Sequence, residues 1–168
     1  RSCAIWSMIG FIVGLGDRHA NNVMINKITG EVVHVDFSML FDRGKSLPRP
    51  ENVPFRLTRN VVDGMGILGT DGAFSASATL TLSILREKKD KILSVLQTLV
   101  HDPFIDWAYE NKQSQAKMIL REVDRRLSGV FKGQYAERSP DLVVQELIKA
   151  ATNTSNLAHM FWGWEPYL

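Results

Sequence analysis

Four side chains near the start of the sequence could do chemistry together: Asp17, His19, Asn22 and Asp36. Asn22 follows Asp17 by five residues, and Asp36-Phe37 comes fourteen residues after Asn22. Moving a phosphoryl group asks little covalent work of a protein. It needs an aligned hydroxyl, a divalent metal against the phosphate charge, and donors for the transferring oxygens. In such a layout Asp17 accepts or orients the hydroxyl proton. Asn22 offers an amide oxygen and Asp36 a carboxylate, the hard ligands that Mg²⁺ (or Mn²⁺) takes. His19 either donates to the developing charge or shares the proton transfer, and the sequence leaves both open. Arg18 is read as a structural ion-pair partner. Each residue alone would suit a polar turn capping a hairpin; the spacing and context together point to the chemistry, and the interval selects Asn22 over its neighbour Asn21. His34 is read as a packed strand residue.

The surrounding chain must position these groups. Residues 2–14 are apolar nearly all round, the pattern of a central core helix, and Gly14 and Gly16 stop it. Val23-Met24-Ile25 and Glu31 to Phe37 flank the turn signal Lys27-Ile28-Thr29-Gly30, so the pair predicts a short hairpin with Asn22 and Asp36 at one edge. The two-residue period puts His34 and Asp36 on one face. Residues 38–57, with Gly44, Pro48, Pro50 and Pro54, form a loop too long for a plain connection. Thr58 offers an N-cap to a short helix ending near Gly64, and two helices follow over 71–87 and 89–100. From Asn111 to Phe131 the stripe Ala116, Leu120, Val123, Leu127, Val130 marks an amphipathic helix supported by Glu122 and Arg126. After a polar linker, Lys132 to Arg138, Ser139-Pro140-Asp141 has the order a helix start prefers. That helix runs to about Ala151, and a last short one covers 155–161. The expected class is α+β, mostly helical, with one small hairpin.

Apolar residues at 45% and charged residues at 23% are those of a soluble globular domain. A net charge of +2 with no dense basic block gives no case for direct nucleic-acid binding. The lone Cys3 suits a reducing compartment. The opening apolar run, which lacks an initiator Met, is read as a buried helix whose beginning is cut off, making the chain a C-terminal piece of something longer. Gly64-Met65-Gly66-Ile67-Leu68-Gly69 is a literal Gly-x-Gly-x-x-Gly, but a dinucleotide fingerprint needs a strand before it. These glycines are read instead as letting two helices meet closely.

Gly-Leu-Gly-Asp-Arg-His at 14–19, His-Val-Asp-Phe at 34–37 and Val-Pro-Phe-Arg-Leu-Thr at 53–58 resemble the phosphatidylinositol-3-kinase-related protein kinases, whose C-terminal FATC element Gly163-Trp164-Glu165-Pro166-Tyr167-Leu168 also resembles. Asn60 to Gly66 with Gly69 to Gly72 is similar to the branch holding ATM and ATR; the Trp-Glu-Pro-Tyr ending and Arg126 to Val130 lean toward ATR. The resemblance covers the whole chain. It implies a protein-kinase-like C-terminal lobe over 1–110, an amphipathic helix and linker over 111–138, and a FATC element over 139–168. By the same resemblance Asp17 is the catalytic acid/base, His19 its transition-state partner, and Asn22 and Asp36 the metal ligands. Asp36 to Thr58 becomes the activation segment, with Phe37 at its start and Val53, Pro54, Phe55 and Thr58 at its far anchor. ATP with Mg²⁺ or Mn²⁺ is the implied cofactor set. Protein substrates with Ser/Thr-Gln sites, regulatory protein subunits, and the N-lobe and upstream helical region of the same protein are the implied partners; the implied home is the nucleus. Ser38 departs from the glycine that many kinases carry after Asp-Phe. No glycine-rich phosphate loop or partner lysine precedes Arg1, so the chain alone is expected to be inactive.

Two other functions compete. A phosphoinositide lipid kinase shares the Asp-Arg-His loop but is expected to cluster lysines in the activation segment. Residues 38–53 hold only Arg43, Lys45 and Arg49, offset by Asp42 and Glu51. A non-catalytic tail could place Phe161, Trp162, Trp164 and Tyr167 at a lipid interface; the preferred reading packs them on the lobe beside the activation segment. Ser114-Gln115 matches the implied substrate dipeptide, although a solvated helix start explains it as well.

Overall fold

A computed structural model describes residues 1–100, 112–130 and 137–165. Tyr167, the Asn111 and Phe131 ends of the expected amphipathic helix, and most of the polar linker lie outside the described residues. The apolar opening run forms helix α1 (Ser2–Val13), whose Ala4, Met8, Phe11 and Ile12 are buried. Gly14 ends it in the left-handed conformation (φ 62°), returning its N–H to α1 carbonyls. A Cβ here would lie 2.6 Å from the Asp42 nitrogen, so glycine serves both the turn and the close approach.

Strands β1 (Val23–Ile25) and β2 (Val32–His34) pair antiparallel, with Val23 opposite His34. The Asn26 side chain builds the turn between them, its Oδ1 accepting from the N–H groups of Ile28 (2.9 Å) and Thr29 (3.1 Å). The second strand is shorter than the alternation of Glu31 to Phe37 suggested. Asp36 adopts φ 58°, which breaks the two-residue period. His34 and Asp36 therefore do not share a face: His34 stacks on Trp6, with ring centroids 5.0 Å apart, while Asp36 is exposed.

After the long loop come α2 (Arg59–Asp63), α3 (Ala73–Glu87), α4 (Lys89–Val100), α5 (Lys112–Leu127), α6 (Pro140–Ala151) and α7 (Thr154–Ala158). Helix α3 lies between α1 and α6, burying Phe74, Ala78 and Leu82; α5 closes the core with Val123 and Leu127. The cap of α6 is as its sequence asks: the Ser139 Oγ accepts from the Leu142 N–H (3.4 Å), with Pro140 in the first turn. Thr58 occupies the cap position of α2 without capping it, since its hydroxyl donates to the Asn60 side chain instead. Helix α5 stops at Leu127; Val130 follows the turn at Gly129 rather than continuing the helical stripe.

The Gly64–Gly69 stretch also differs from expectation. Nothing lies within 4 Å of where a Gly66 Cβ would be, and one on Gly69 would meet the Val62 side chain only at an ordinary 3.4 Å, so no close helix approach there calls for glycine. Gly66 (φ 83°) and Gly69 (φ 49°) instead let the chain turn from α2 into α3, leaving Ile67 and Leu68 exposed. The stretch follows a helix, not a strand, as the dinucleotide reading would require.

Because Leu82 is fully buried between α1 and α6 neighbours, Leu82→Ala should cost about 2–5 kcal/mol. A urea midpoint lowered accordingly, with unchanged slope, is the expected result; a change under about 0.5 kcal/mol would mean that the site collapses without a cavity.

Candidate active site

The loop after α1 is assembled around Arg18, which is 2% exposed. Its Nε donates to the Gly16 carbonyl (2.8 Å), Nη1 to the carbonyls of Val35 (2.7 Å) and Asn22 (3.4 Å), and Nη2 to that of Asp36. One guanidinium thus joins the loop before Asp17, the start of β1 and the exit of β2. Burial depresses the Arg18 pKa, opposed by the charges of Asp17, Asp36 and Glu51. Its side-chain hydrogen bonds go to backbone carbonyls rather than to the carboxylate of an ion pair. A further bond, Val35 N–H to the Asn22 carbonyl (3.1 Å), ties the two ends of the hairpin.

Asp17 sits at φ 56°, a left-handed conformation uncommon for a non-glycine residue. Its peptide is held from both sides. The Asn22 Nδ2 donates to the Asp17 carbonyl (2.8 Å), and the Asp17 N–H donates to Glu51 Oε1 (2.8 Å). Asn22 is buried, and with Nδ2 donating to Asp17 its Oδ1 remains as an acceptor. His19 caps the short 3-10 helix Ala20–Asn22, its Nδ1 accepting from the Asn21 N–H (3.2 Å). The neutral ring therefore carries its hydrogen on Nε2, which lies 3.9 Å from Asp17 Oδ2.

Asp36 is exposed beyond β2. Hydrogen bonds from the Ser38 hydroxyl and backbone N–H hold its carboxyl below the usual carboxylate range, with smaller help from Arg18 and His19. Phe37 also packs on Trp6 (6.0 Å between centroids), the ring on which His34 stacks. The pKa of His34 falls to about 4, chiefly through burial and secondarily through the Arg18 charge, so the ring is neutral near pH 7. Among the described residues no group of three or more His, Cys, Asp or Glu gathers to hold a metal. An ionised Asp36 and an amide oxygen on Asn22 are the kinds of hard ligand that Mg²⁺ takes, with its remaining ligands from phosphates and water.

Residues 39–42 run beside the loop entrance through three backbone bonds: Gly16 N–H to Met39 O (2.8 Å), Phe41 N–H to Val13 O (2.9 Å) and Asp42 N–H to Gly14 O (2.9 Å). Arg126 of α5 locks this corner, donating to the Phe11 carbonyl (2.7 Å), Asp42 Oδ2 (2.5 Å) and Glu122 Oε1 (3.2 Å). The sequence placed Arg126 in a helical pair with Glu122, and that pair exists, but its longer-range partners have no signature in local spacing. Pro54 and Phe55 lead into the buried Leu57 and Thr58, and Phe55 meets Phe74 (6.4 Å). Arg56 donates to the Arg18 carbonyl (3.4 Å) and lies 5.6 Å from the ring of Trp164, which is 2% exposed. Trp162 behaves differently: it is 75% exposed, with Arg49 lying 5.3 Å from its ring. Ser114 is exposed on the first turn of α5.

Residues 1–109 match the family described as phosphatidylinositol 3- and 4-kinase, and residues 139–168 match the FATC domain. The chain is 40% identical over 172 residues to protein kinase rad3 of Schizosaccharomyces pombe, covering 99% of this chain and 7% of that protein. It is 44% identical to serine/threonine-protein kinase ATR of Oryza sativa subsp. indica (96% and 6%) and 46% identical to serine/threonine-protein kinase TEL1 of Yarrowia lipolytica (99% and 8%). The solved structure described as the FAT and kinase domain of CtTel1 superposes with a TM-score of 0.88 at 40% identity, over 98% of this chain and 12% of that one. The chain spans under a tenth of the length of these curated relatives.

Arg18→Lys should leave several of the four carbonyls without a donor, because an ammonium cannot fork as a guanidinium does. A local cost of about 3 kcal/mol or more is expected, read as faster hydrogen exchange at the Val35 amide; unchanged protection would show that the hairpin holds to the loop without it. Trp164→Ala should destabilise by about 3–5 kcal/mol as a buried aromatic, and Trp162→Ala by no more than about 1 kcal/mol, both from thermal unfolding. Equal losses would contradict the packing of the tail.

Proposed function

The chain belongs to the phosphatidylinositol 3- and 4-kinase family and carries a FATC domain, and we propose that it forms the catalytic-loop and activation-segment part of a serine/threonine protein kinase acting on Ser/Thr-Gln sites in DNA-damage checkpoint signalling. The observation that carries this reading is the shared Arg18 guanidinium, whose carbonyl partners include those of Asn22 and Asp36 and which directly follows Asp17. The relatives named as Rad3, ATR and Tel1 kinases support the protein-kinase assignment over their shared length.

When bound, ATP with Mg²⁺ (or Mn²⁺) supplies the phosphoryl group and the divalent charge that neutralises it. Asp17 orients the substrate hydroxyl and takes its proton on a carboxylate oxygen. The Nε2–H of His19, beside that carboxylate, donates toward charge on the transferring oxygens. Asn22 Oδ1 and the Asp36 carboxylate would hold the cation. Residues 36–58 act as the activation segment, with Phe37 seated on Trp6 at one end and Pro54, Phe55 and Thr58 anchoring the other. Residues 1–110 serve as the C-terminal lobe and 139–168 as the FATC element. An N-lobe and upstream helical region supply the adenine and phosphate clamp, with regulatory subunits and a nuclear setting completing the reading.

A lipid headgroup suits the segment less well. Its cations are already engaged: Lys45 with Asp42 (3.0 Å), Arg49 with the Trp162 ring, and Arg43 with the Ser38 carbonyl (3.4 Å). Among the described residues no helix is long and apolar enough to cross a membrane.

In the intact protein, Asp17→Asn should lower turnover on a Ser-Gln peptide by about 10²–10⁴, the range for a positioned base, with ATP affinity nearly unchanged. Asp36→Ala should instead abolish metal-dependent nucleotide binding in a fluorescent-nucleotide titration. Turnover of the Asp17→Asn variant within tenfold of the parent would remove Asp17 from its role.

A further inference from the structure

Glu51 was read from the sequence only as one charge offsetting its neighbours, and nothing in the phosphoryl-transfer reading uses it. In the fold it comes from the far part of the activation segment to the back of the catalytic loop. Its Oε1 accepts the Asp17 backbone N–H at 2.8 Å, across 34 residues of sequence. Its own N–H donates to the Gly44 carbonyl (3.2 Å), which fixes where the side chain starts. The other carboxylate oxygen sits in a slot between two glycines. A Cβ on Gly16 would fall 2.5 Å from Oε2, and one on Gly44 2.0 Å from it. Both glycines are buried, and Gly44 lies outside the left-handed region, so at that position it is space for the carboxylate rather than backbone freedom that calls for glycine.

Asp17 needs such a partner. Its left-handed backbone costs on the order of 1–3 kcal/mol unless the surroundings over-determine it. Asn22 holds the carbonyl side of the residue; Glu51 holds its N–H. Losing Glu51 frees the peptide before Asp17 to rotate, and the Asp17 carboxylate swings with it. We propose that Glu51 is a positioning residue through which the folded activation segment sets the orientation of Asp17, so that catalytic geometry is present only while residues 44–51 are seated. This rests on the reading of Asp17 as the catalytic acid/base. It predicts a loss in the chemical step and not in nucleotide binding, since misplacing a reacting group by about 1 Å costs on the order of 10²-fold.

The test uses the intact protein with a Ser-Gln peptide, measuring kcat and the KM for magnesium ATP. Glu51→Ala should lower kcat by about 10- to 100-fold with the ATP KM within about twofold. Glu51→Gln keeps an acceptor oxygen and should retain most of the rate. Gly44→Ala, which drives a methyl into the slot, should reproduce the Glu51→Ala defect and add little when combined with it. In an Asp17→Asn background Glu51→Ala should cause no further loss, because residues acting through one group are not additive. A Glu51→Ala defect of the same factor in both backgrounds overturns the proposal, as does a rate within twofold of the parent while Asp17→Asn is crippled; either leaves the kinase reading standing. Asp17→Asn at near-parent rate overturns both. If Glu51→Ala yields no folded protein, the Gly44→Ala and Glu51→Gln pair decides: equal rates for the two sink the idea.

Discussion

Burying the Arg18 guanidinium removes a charge from water, and only a full set of acceptors offsets that loss. The acceptors are the carbonyls of Gly16, Asn22, Val35 and Asp36, contributed by the loop and by both ends of the hairpin. A planar fork with five fixed donors suits this task, since it reaches several carbonyls from one position. The consequence is geometric. A two-stranded hairpin of three-residue strands has little stability of its own, yet here its two ends, at Asn22 and Asp36, are pinned to one guanidinium.

Around that centre, strain is concentrated. Five non-glycine residues among those described have positive φ: Asp17, Asp36, Phe41, Asp42 and Glu165. Four belong to the loop or the start of the segment, and the three acids among these four each have a specific restraint. Asp17 has Glu51 and Asn22, Asp36 has Arg18 and Ser38, and Asp42 has Arg126. Left-handed acids held by long-range hydrogen bonds are a way of aiming short side chains that regular strand geometry would point elsewhere. The helical core of α1, α3 and α6 has no such residues and supplies the rigid base against which the strain is held.

What the sequence made legible follows from how local each signal is. The apolar run of α1, the β-branched hairpin and the Ser139-Pro140-Asp141 cap all depend on neighbours within a turn or two, and all are present. The spacing of Asp17, Asn22 and Asp36 was equally visible, because the hairpin that joins them is short. Glu51 and Arg126 were not, since they act on Asp17 and Asp42 across 34 and 84 residues and no period links them. Asp36 shows a subtler failure: alternation carries a strand forward until a left-handed residue stops it, and an aspartate does not announce that conformation as a glycine would. Gly66 and Gly69 failed in the opposite sense, being credited with close packing where they only turn the chain.

The tail shows the same dependence on locality from another side. Trp162 and Trp164 are two residues apart and both meet an arginine, yet one is exposed and the other is in the core. The 3-10 turn at Trp162–Trp164 sends their side chains different ways, so composition alone could not separate them. Arg56 explains why the buried one matters to the site. Its guanidinium lies near the Trp164 ring and donates to the carbonyl of Arg18, so the FATC element touches the residue that holds the loop after α1 through one intervening side chain. Packing at the end of the chain and geometry near its start are thereby parts of one contact network, with residues 53–58 running between them.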